Sequence, residues 1–184
     1  MPEAFGNNMT ALQKHVSFFD RNHDGIIFPN ETLEGLMALG SNITLSTAAT
    51  ALIHTALSQK TRPGKPLSML FPIEIENIKG GKHGSDSGAY DNEGMFVESK
   101  FEEIFTKYAV THKDALTEGE LGAMLEGNKV PNDVAGSVAA STEWKMLYNL
   151  FKDKDGLLQK QTVKDSFDGT LFYQMEKKNN NNAK

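Results

Sequence analysis

One twelve-residue segment constrains the fold of this chain more than any other feature. From Asp20 to Glu31 the sequence reads DRNHDGIIFPNE, with carboxylate or amide side chains at positions one, three, five and twelve and glycine at position six. An EF-hand loop binds Ca²⁺ through oxygens at these positions and through the backbone carbonyl of position seven. The spacing therefore predicts a calcium site whose ligands are Asp20, Asn22, Asp24, the carbonyl of Ile26, and Glu31.

The flanking residues support a helix on each side of this loop. Apolar residues recur at three- and four-residue spacings before it and after it: Met9, Leu12, Val16 and Phe19, then Leu33, Leu36, Met37 and Leu39. The alternative is a polar turn between two helices, which does not require an oxygen-bearing side chain at every ligand position. We predict a mainly α fold, with EF-hand-like helix–loop–helix pairs and short β bridges between paired loops.

Three other segments keep fragments of the same loop. Residues 151–162 keep Asp153, Asp155, Gly156 and Leu158; residues 89–100 keep Asp91, Glu93, Gly94 and Phe96; residues 109–120 keep Leu116 and Glu120. Each lacks some ligands, and the alternative is that they are ordinary turns between helices. Because Ile27 stands at the eighth position, which usually pairs with a neighbouring loop, we predict that 20–31 pairs with 151–162 and 89–100 with 109–120. Only the first loop is expected to bind calcium tightly.

The chain divides into four predicted regions. Residues 1–40 form the N-terminal EF-hand, 41–88 an amphipathic, proline-containing segment ending in a glycine-rich loop, 89–176 a degenerate EF-like helical region, and 177–184 an asparagine-rich disordered tail. Within them, helices are predicted near 43–57, 98–110, 117–127, 142–151 and 160–176. The segment 43–57 contains a histidine and is shorter than the roughly 20 apolar residues of a membrane-spanning helix.

Composition excludes several classes of chemistry. The chain of 184 residues has no cysteine, which excludes disulfides, thiolate zinc sites, iron–sulfur clusters, thiol nucleophiles and cysteine-ligated haem. Its net charge of −5, with scattered basic residues, argues against nucleic-acid binding. No secretory signal is recognisable at the N-terminus. Any metal chemistry must therefore use oxygen or imidazole ligands.

Two of the five histidines are candidate ligands. His15 lies in or beside the apolar stripe of the first helix, and His83 lies in the glycine-rich loop. From the residues alone, either could hold a metal or cofactor, or could be a structural histidine with protein partners. His23, His54 and His112 occupy polar positions and are interpreted as structural or solvent-facing.

Three segments together resemble the caleosin family of calcium-dependent haem peroxygenases. They read ALQKHVSFFDRNHDGIIFPNET, FPIEIENIKGGKHGSDSGAYDNEGMFV and KDKDGLLQKQTVKDSFDGTLF, in the family's order, and the resemblance covers most of residues 9–176. It implies that haem b is bound by His15 and His83, that these two histidines are catalytic, and that the loop at 20–31 binds Ca²⁺. It also implies that a fatty-acid hydroperoxide is used to epoxidise or hydroxylate unsaturated lipids.

The resemblance further implies association with lipid droplets or the endoplasmic-reticulum surface. Residues 43–72 are less hydrophobic than the family's membrane hairpin, so peripheral binding or a cytoplasmic form is expected. One histidine is expected to be the proximal haem ligand and the other distal or displaced, and self-association is left open. The competing functions are a non-catalytic calcium-binding lipid-droplet surface or tethering protein, and a calcium buffer or sensor.

Overall fold

A computed structural model describes residues 8–182 of the chain, and the described part is mainly helical. In chain order its elements are α1 (Ala11–Ser17), β1 (Ile26–Ile27), α2 (Pro29–Ala38), α3 (Ile43–Leu57), β2 (Ile73–Glu74), a 3₁₀ helix (Ile75–Gly81), α4 (Glu98–Tyr108), β3 (Ala115–Leu116), α5 (Glu118–Gly127), α6 (Val134–Phe151), β4 (Leu158–Gln159), α7 (Lys160–Phe167) and α8 (Thr170–Asn182). The mainly α prediction is confirmed for this part of the chain.

Local signals fix the first helix–loop–helix unit. Thr10 caps α1 by accepting a hydrogen bond from the Gln13 backbone N–H at 3.2 Å, and the Gln13 side chain accepts one from the Thr10 N–H at 2.9 Å. Pro29 opens α2, where its missing N–H costs nothing. The loop from Asp20 to Glu31 therefore lies between two helices, as its ligand spacing predicts.

The predicted pairing of loops is wrong. β1 pairs with β2, a strand of the connector, so that Ile27 lies opposite Ile73. β3 pairs with β4, so that Leu116 lies opposite Leu158, and the 109–120 loop is thereby paired with the 151–162 loop. Burial explains why these strands pair as they do. Leu116 and Leu158 are fully buried in the core between α4 and α7, whereas Ile27 belongs to a separate isoleucine cluster.

The 89–100 segment makes its β bridge within itself, between Tyr90 and Phe96. The Asp91 carboxylate accepts hydrogen bonds from the backbone N–H groups of Glu93 and Met95, at 2.9 and 2.8 Å. Asp153 in the 151–162 loop makes the equivalent pair of bonds to residues 155 and 157. This segment therefore forms its β bridge internally and is bonded to α1, where the Leu12 N–H donates to the Gly94 carbonyl at 3.0 Å; its predicted pairing with 109–120 does not form.

Three buried clusters hold these units together. The largest lies among α4, α5, α6 and α7 and includes Phe101, Phe105, Leu116, Leu121, Met124, Trp144, Tyr148, Val163 and Phe167. A second joins α1, the end of α2 and α8 through Phe18, Leu39, Leu171 and Phe172. The third contains Ile27, Ile73, Ile75 and Ile78. The second cluster packs the two helices that flank the 20–31 loop against α8, although they are far apart in sequence.

The C-terminal helices differ from their prediction in two ways. The single helix expected near 160–176 is broken at Gly169, which has a positive φ of 76°. Helix α8 then continues through Asn182, and the Asn179 amide donates a hydrogen bond to the Ala38 carbonyl at 3.0 Å. Residues 177–182 are therefore helical where a disordered tail was predicted; residues 183–184 lie outside the described part.

Within the described residues, no helix is long and apolar enough to span a bilayer.

Candidate functional site

The predicted calcium ligands point into their loop. Asp20 is buried, and its carboxylate accepts hydrogen bonds from the Asp24 N–H at 3.1 Å and the Gly25 N–H at 2.8 Å. Asn22 Oδ1 also accepts from the Asp24 N–H, and Asp24 Oδ1 accepts from the Ile26 N–H at 2.8 Å. Gly25 has a φ of 87°, which other residue types rarely adopt. The side-chain oxygens of positions one, three and five thus all bond to N–H groups of the loop itself.

Glu31 closes the loop from its far end. One carboxylate oxygen accepts hydrogen bonds from the Arg21 and Asn22 N–H groups, at 3.1 and 3.2 Å, and the other accepts from the Phe28 N–H at 2.8 Å. As placed, no three histidine, aspartate or glutamate side chains among residues 8–182 converge as a metal cluster. The donor set is three carboxylates, one amide and one carbonyl, all hard oxygen ligands of the type that Ca²⁺ prefers.

Glu120 repeats the role of Glu31 in the 109–120 loop. It accepts hydrogen bonds from the N–H groups of Val110, Thr111 and Thr117, at 3.0, 2.7 and 2.8 Å, which are loop positions two, three and nine in both loops. Burial raises the pKa of Glu120, but the hydrogen bonds from Thr117 and Thr111 outweigh it and lower the pKa to about 2. Because Ala109, Thr111 and Lys113 stand where the first loop has Asp20, Asn22 and Asp24, this loop repeats the contacts of Glu31 but lacks the carboxylates of positions one and five.

His15 is oriented by a backbone carbonyl of α7. Its Nδ1 lies 2.6 Å from the Ser166 carbonyl oxygen, which can only accept, so Nδ1 carries the proton and Nε2 presents its lone pair. The rings of Phe172 and Tyr90 lie edge-on to it, at centroid distances of 5.1 and 6.4 Å. Burial lowers the pKa of His15, against the effects of Ser166 and Asp168, so the imidazole is neutral at pH 7. A neutral imidazole with a carbonyl-bound Nδ1 is the usual arrangement of a metal-ligating histidine.

The close approach between α1 and the α7–α8 turn depends on Gly169. A Cβ at this position would lie 2.7 Å from the Lys14 carbonyl oxygen and 3.2 Å from the His15 Cα. Gly169 therefore allows the Ser166 carbonyl to reach His15, because any side chain there would push the turn away from α1.

His83 has an unsatisfied nitrogen. Its Nδ1 is buried and has no hydrogen-bond partner among the described residues, and the nearest carboxylate oxygen, Asp133 Oδ2, lies 3.7 Å away. That Asp133 oxygen instead accepts from the Ser85 N–H and hydroxyl, at 2.9 and 2.8 Å, which fixes the glycine-rich loop to the start of α6. Burial lowers the pKa of His83. An orphaned, neutral imidazole in a fixed loop fits a residue that binds a group from outside the chain.

The two histidines are connected through one segment rather than by direct contact. His83 begins the 83–90 segment beside Asp133, and Tyr90 ends it against His15. The Tyr90 hydroxyl donates to the Phe167 carbonyl at 2.5 Å, which places the far end of the segment at the α7–α8 turn. The structure thus places both candidate ligands along one segment that runs from the start of α6 to α1.

The other histidines have structural or solvent-facing positions. His54 is buried, with Nε2 2.8 Å from the Thr32 hydroxyl and Nδ1 2.7 Å from the Phe71 carbonyl, so both nitrogens have protein partners. Burial lowers the pKa of His54. His23 and His112 are exposed.

Glu143 is a feature that the sequence pattern does not reveal. It lies on α6 next to the buried Trp144, and its own side chain is exposed. Desolvation by neighbouring protein atoms, and to a lesser extent the charge of Asp86, raise the pKa of Glu143 to about 7. Helical periodicity alone predicts an ordinary surface glutamate at this position.

Comparison with known proteins identifies the family of the chain. The family model described as "Caleosin related protein" matches residues 7–176. The chain is 58% identical over 166 residues to "Probable peroxygenase 4" of Arabidopsis thaliana, covering 90% of this chain and 85% of that protein. It is 46% identical over 171 residues to "Peroxygenase" of Lilium longiflorum, covering 93% and 72%.

A third relative carries a different description. The chain is 41% identical over 150 residues to "Probable inactive peroxygenase-like protein" of Arabidopsis thaliana, covering 82% of this chain and 72% of that protein. No solved structure matches. The two more similar relatives identify the protein as a peroxygenase, an oxidoreductase. The chain belongs to the caleosin family.

Proposed function

We propose that this caleosin is a calcium-dependent haem peroxygenase that uses fatty-acid hydroperoxides to epoxidise or hydroxylate unsaturated lipids. The observation that carries the proposal is His15, a neutral imidazole whose Nδ1 is bound to the Ser166 carbonyl and whose Nε2 lone pair is available. The chain has no cysteine, so thiolate cannot be the ligand of a haem iron, and imidazole is the ligand type that His15 offers.

His15 and His83 are the residues that would hold haem b. When bound, haem supplies the iron at which a hydroperoxide O–O bond is broken and one oxygen atom is transferred. A hydroperoxide needs a free coordination position, so we assign the permanent ligand to His15. His83, whose Nδ1 has no protein partner, is assigned to binding and orienting the peroxide. The Ser166 carbonyl increases the basicity of His15 by accepting its Nδ1 proton in a hydrogen bond.

Two structural connections link the 20–31 loop to His15, so calcium bound in the loop can affect this histidine. First, α1 carries His15 and leads directly into the loop that begins at Asp20, so ordering the loop fixes the end of this helix. Second, Arg21 in the loop forms an ion pair at 2.6 Å with Glu176 of α8, the helix whose Phe172 packs on His15. We therefore propose that Ca²⁺ bound at 20–31 maintains the orientation of His15, while the 109–120 loop binds no calcium.

An exposed apolar segment offers a surface for peripheral lipid contact. Leu67, Met69, Leu70 and Phe71 follow one another closely in the connector, and Leu67 and Met69 are 86% and 90% exposed. Such a cluster is unusual on a soluble surface and suits contact with a lipid droplet or membrane, where the proposed substrates reside. His54 links this segment to α2 through its bonds to Phe71 and Thr32.

The proposed reaction is tested with an isotopically labelled oxidant. Haem-loaded protein is given a fatty-acid hydroperoxide labelled with ¹⁸O in both peroxide oxygens, together with an unsaturated fatty acid, and the products are analysed by mass spectrometry. The expected result is labelled epoxide or hydroxylated lipid and an equal amount of labelled alcohol. Product without label, or no oxygenated lipid, would contradict the proposal.

The calcium dependence is tested with matched variants. Glu31→Gln removes one charge from the bidentate ligand of the loop, whereas Glu126→Gln changes an exposed glutamate that pairs with Lys129 at the surface. The former is expected to weaken calcium binding by about 100-fold in calorimetry and to lower peroxygenase activity at micromolar Ca²⁺. Equal calcium affinity and activity in the two variants would refute the coupling.

The exposed apolar segment is the observation that favours one competing function, a non-catalytic calcium-binding protein of lipid surfaces. A protein of this kind would bind vesicles and Ca²⁺ but take up no haem. Haem uptake by the purified protein decides against it.

A further inference from the structure

The carboxylate of Asp133, the N-cap residue of α6, is held in place by the start of its own helix. Its Oδ1 accepts a hydrogen bond from the Gly136 N–H at 3.0 Å. The Asp133 carbonyl accepts two more from Ser137, one from the N–H at 3.0 Å and one from the hydroxyl at 2.8 Å. A Cβ at position 136 would overlap both carboxylate oxygens, so the glycine there leaves the space that the carboxylate occupies.

The other oxygen of this carboxylate holds the loop that carries His83. Asp133 Oδ2 accepts hydrogen bonds from the Ser85 N–H and hydroxyl, at 2.9 and 2.8 Å. Ser85 is buried, and its hydroxyl oxygen also accepts a hydrogen bond from the Val130 N–H at 3.2 Å. These bonds join the loop to the start of α6 and fix the distance between His83 and Asp133.

His83 presents its Nδ1 to this carboxylate. The Nδ1 atom lies 3.7 Å from Asp133 Oδ2, and no other residue among 8–182 has a carboxylate oxygen within 4 Å of the His83 ring nitrogens. The Nδ1 atom is buried and has no hydrogen-bond partner in the described part of the chain. At 3.7 Å the contact with Asp133 is electrostatic and too long for a hydrogen bond.

The other charged groups that act on His83 do not compete with Asp133. The Asp86 carboxylate is paired with the Lys82 ammonium group at 2.9 Å, which offsets its charge. Lys60 and Lys82 are cations and cannot accept a proton from the ring. Asp133 is therefore the acceptor that faces the Nδ1 side of His83.

The neutral His83 ring can carry its proton on either nitrogen, and the neighbouring charge favours one of them. Burial lowers the pKa of His83, so the ring is neutral at pH 7. An Nδ1–H group beside a carboxylate is attracted by its negative charge, whereas an Nδ1 lone pair in the same place is repelled. Because Nδ1 is buried, water screens this difference only weakly. His15 has a similar arrangement, with the Ser166 carbonyl facing its Nδ1.

We propose that Asp133 is a positioning residue of the peroxygenase site, which keeps the His83 proton on Nδ1 and the lone pair on Nε2. The inference rests on the proposed function and adds to it the group that orients His83. With the proton on Nδ1, the Nε2 atom accepts a hydrogen bond from the O–H of a bound hydroperoxide. With the proton on Nε2, it would donate one instead. Asp133 acts only through His83.

The position of the proton is measured in the haem-free protein. Long-range ¹H–¹⁵N correlation spectra distinguish the protonated ring nitrogen from the unprotonated one at about pH 8, above the usual histidine pKa. The His83 signals are identified by their absence in His83→Ala. We expect the proton on Nδ1 in at least about nine wild-type molecules in ten. A proton mainly on Nε2 would overturn the proposal.

Two variants separate the charge of Asp133 from its role in anchoring the loop. Asp133→Asn removes the charge but keeps the size of the side chain and a residue type that suits an N-cap. The ratio of the Nδ1–H form to the Nε2–H form is expected to fall by about 10-fold or more. Ser85→Ala removes one bond between loop and helix, leaves the carboxylate beside His83, and is expected to keep the wild-type ratio. An unchanged ratio in Asp133→Asn, or an equal loss in both variants, would overturn the proposal.

Gly136→Ala is a second perturbation, in which Asp133 is kept. The added Cβ displaces the carboxylate from its place at the helix start, so the ratio is expected to fall at least about threefold. The matched control is Gly122→Ala in α5, where a Cβ would have no atom within 4 Å, and it should keep the wild-type ratio. Equal ratios in the two alanine variants would contradict the proposal. If Asp133→Asn does not fold, this pair decides.

The consequence for the reaction is measured in haem-loaded protein. Asp133→Asn is expected to bind haem within about threefold of the wild type, because His15 is the permanent ligand. It should reduce hydroperoxides to alcohols about 10- to 100-fold more slowly, as when an outer-shell partner of a functional histidine is lost. A rate within about threefold of the wild type would overturn the role of Asp133 in the site. If the wild type neither binds haem nor reduces hydroperoxides, the proposed function itself has failed, a result that the haem-free measurement keeps separate from the effect of Asp133 on His83.

Discussion

The substitution Gly169→Ala tests the close approach that orients His15. Gly169 has a φ of 76°, and a Cβ there would lie 2.7 Å from the Lys14 carbonyl oxygen and 3.2 Å from the His15 Cα. Both neighbouring atoms belong to the backbone of α1, so they cannot rotate out of the way as a side chain would. The α7–α8 turn must therefore move away from α1, and the Ser166 carbonyl must move with it.

Gly64→Ala is a matched control for the size of this effect. Gly64 has a nearly equal φ of 74°, but a Cβ at this position would have no atom within 4 Å. Placing alanine in the left-handed region costs roughly 1–2 kcal/mol at either position. The backbone overlap at Gly169 adds about 1–3 kcal/mol, the usual cost of inserting a methyl group into a packed interior.

Urea unfolding followed by circular dichroism measures the difference directly. Gly169→Ala is expected to be less stable than Gly64→Ala by about 1–3 kcal/mol. Its haem affinity is expected to fall by about 10-fold or more, as when an outer-shell partner of a ligating histidine is disturbed. Equal stability and equal haem affinity in the two variants would refute the positioning role of Gly169.

Two further outcomes follow from the described contacts. Glu120→Gln should lower the free energy of unfolding by up to about 3 kcal/mol at pH 7. The Glu120 pKa, lowered from 4.5 to about 2, contributes stability that is present above pH 4.5 and disappears as the pH falls towards 2. In urea unfolding, the difference from the wild type should therefore be smaller at pH 3 than at pH 7, and an equal difference at both pH values would contradict this. Met69→Glu should weaken binding to phospholipid vesicles several-fold in a co-sedimentation assay, whereas Val134→Glu, at a comparably exposed position, should leave it unchanged. Equal vesicle binding by the two variants would exclude the 67–71 segment as the lipid contact.

Local patterns in the sequence predict the elements of this fold well. Helix α3 occupies the predicted range 43–57, and the glycine and the oxygen-bearing side chains of the 20–31 loop give its turn. These features depend on residues close together in the chain. The partner of Ile27 does not, since Leu158 and Ile73 are both apolar residues that suit a short strand. Which one it meets depends on the packing of whole helix pairs.

In the candidate site, too, the contacts between residues far apart in the sequence could not be predicted. The sequence pattern singles out His15 and His83 only as two possible ligands, and their joint role comes from the family resemblance. The Ser166 carbonyl that orients His15 is a main-chain atom 151 residues away, and no side-chain pattern encodes it. Glu143 occupies a helix position that periodicity assigns to the surface, and the effect of Asp86 on its pKa depends on the docking of the 83–90 segment.

The most direct test of haem binding by these histidines is a haem titration of the purified protein, followed by absorption spectroscopy. Wild-type protein and the exposed control His112→Ala are expected to bind one haem each with the same Soret band. His15→Ala should lose about 100-fold or more in haem affinity and should recover it with added imidazole, whereas His83→Ala should bind haem with an altered spectrum. Unchanged haem affinity and spectrum in His15→Ala would contradict the assignment of His15 as the ligand.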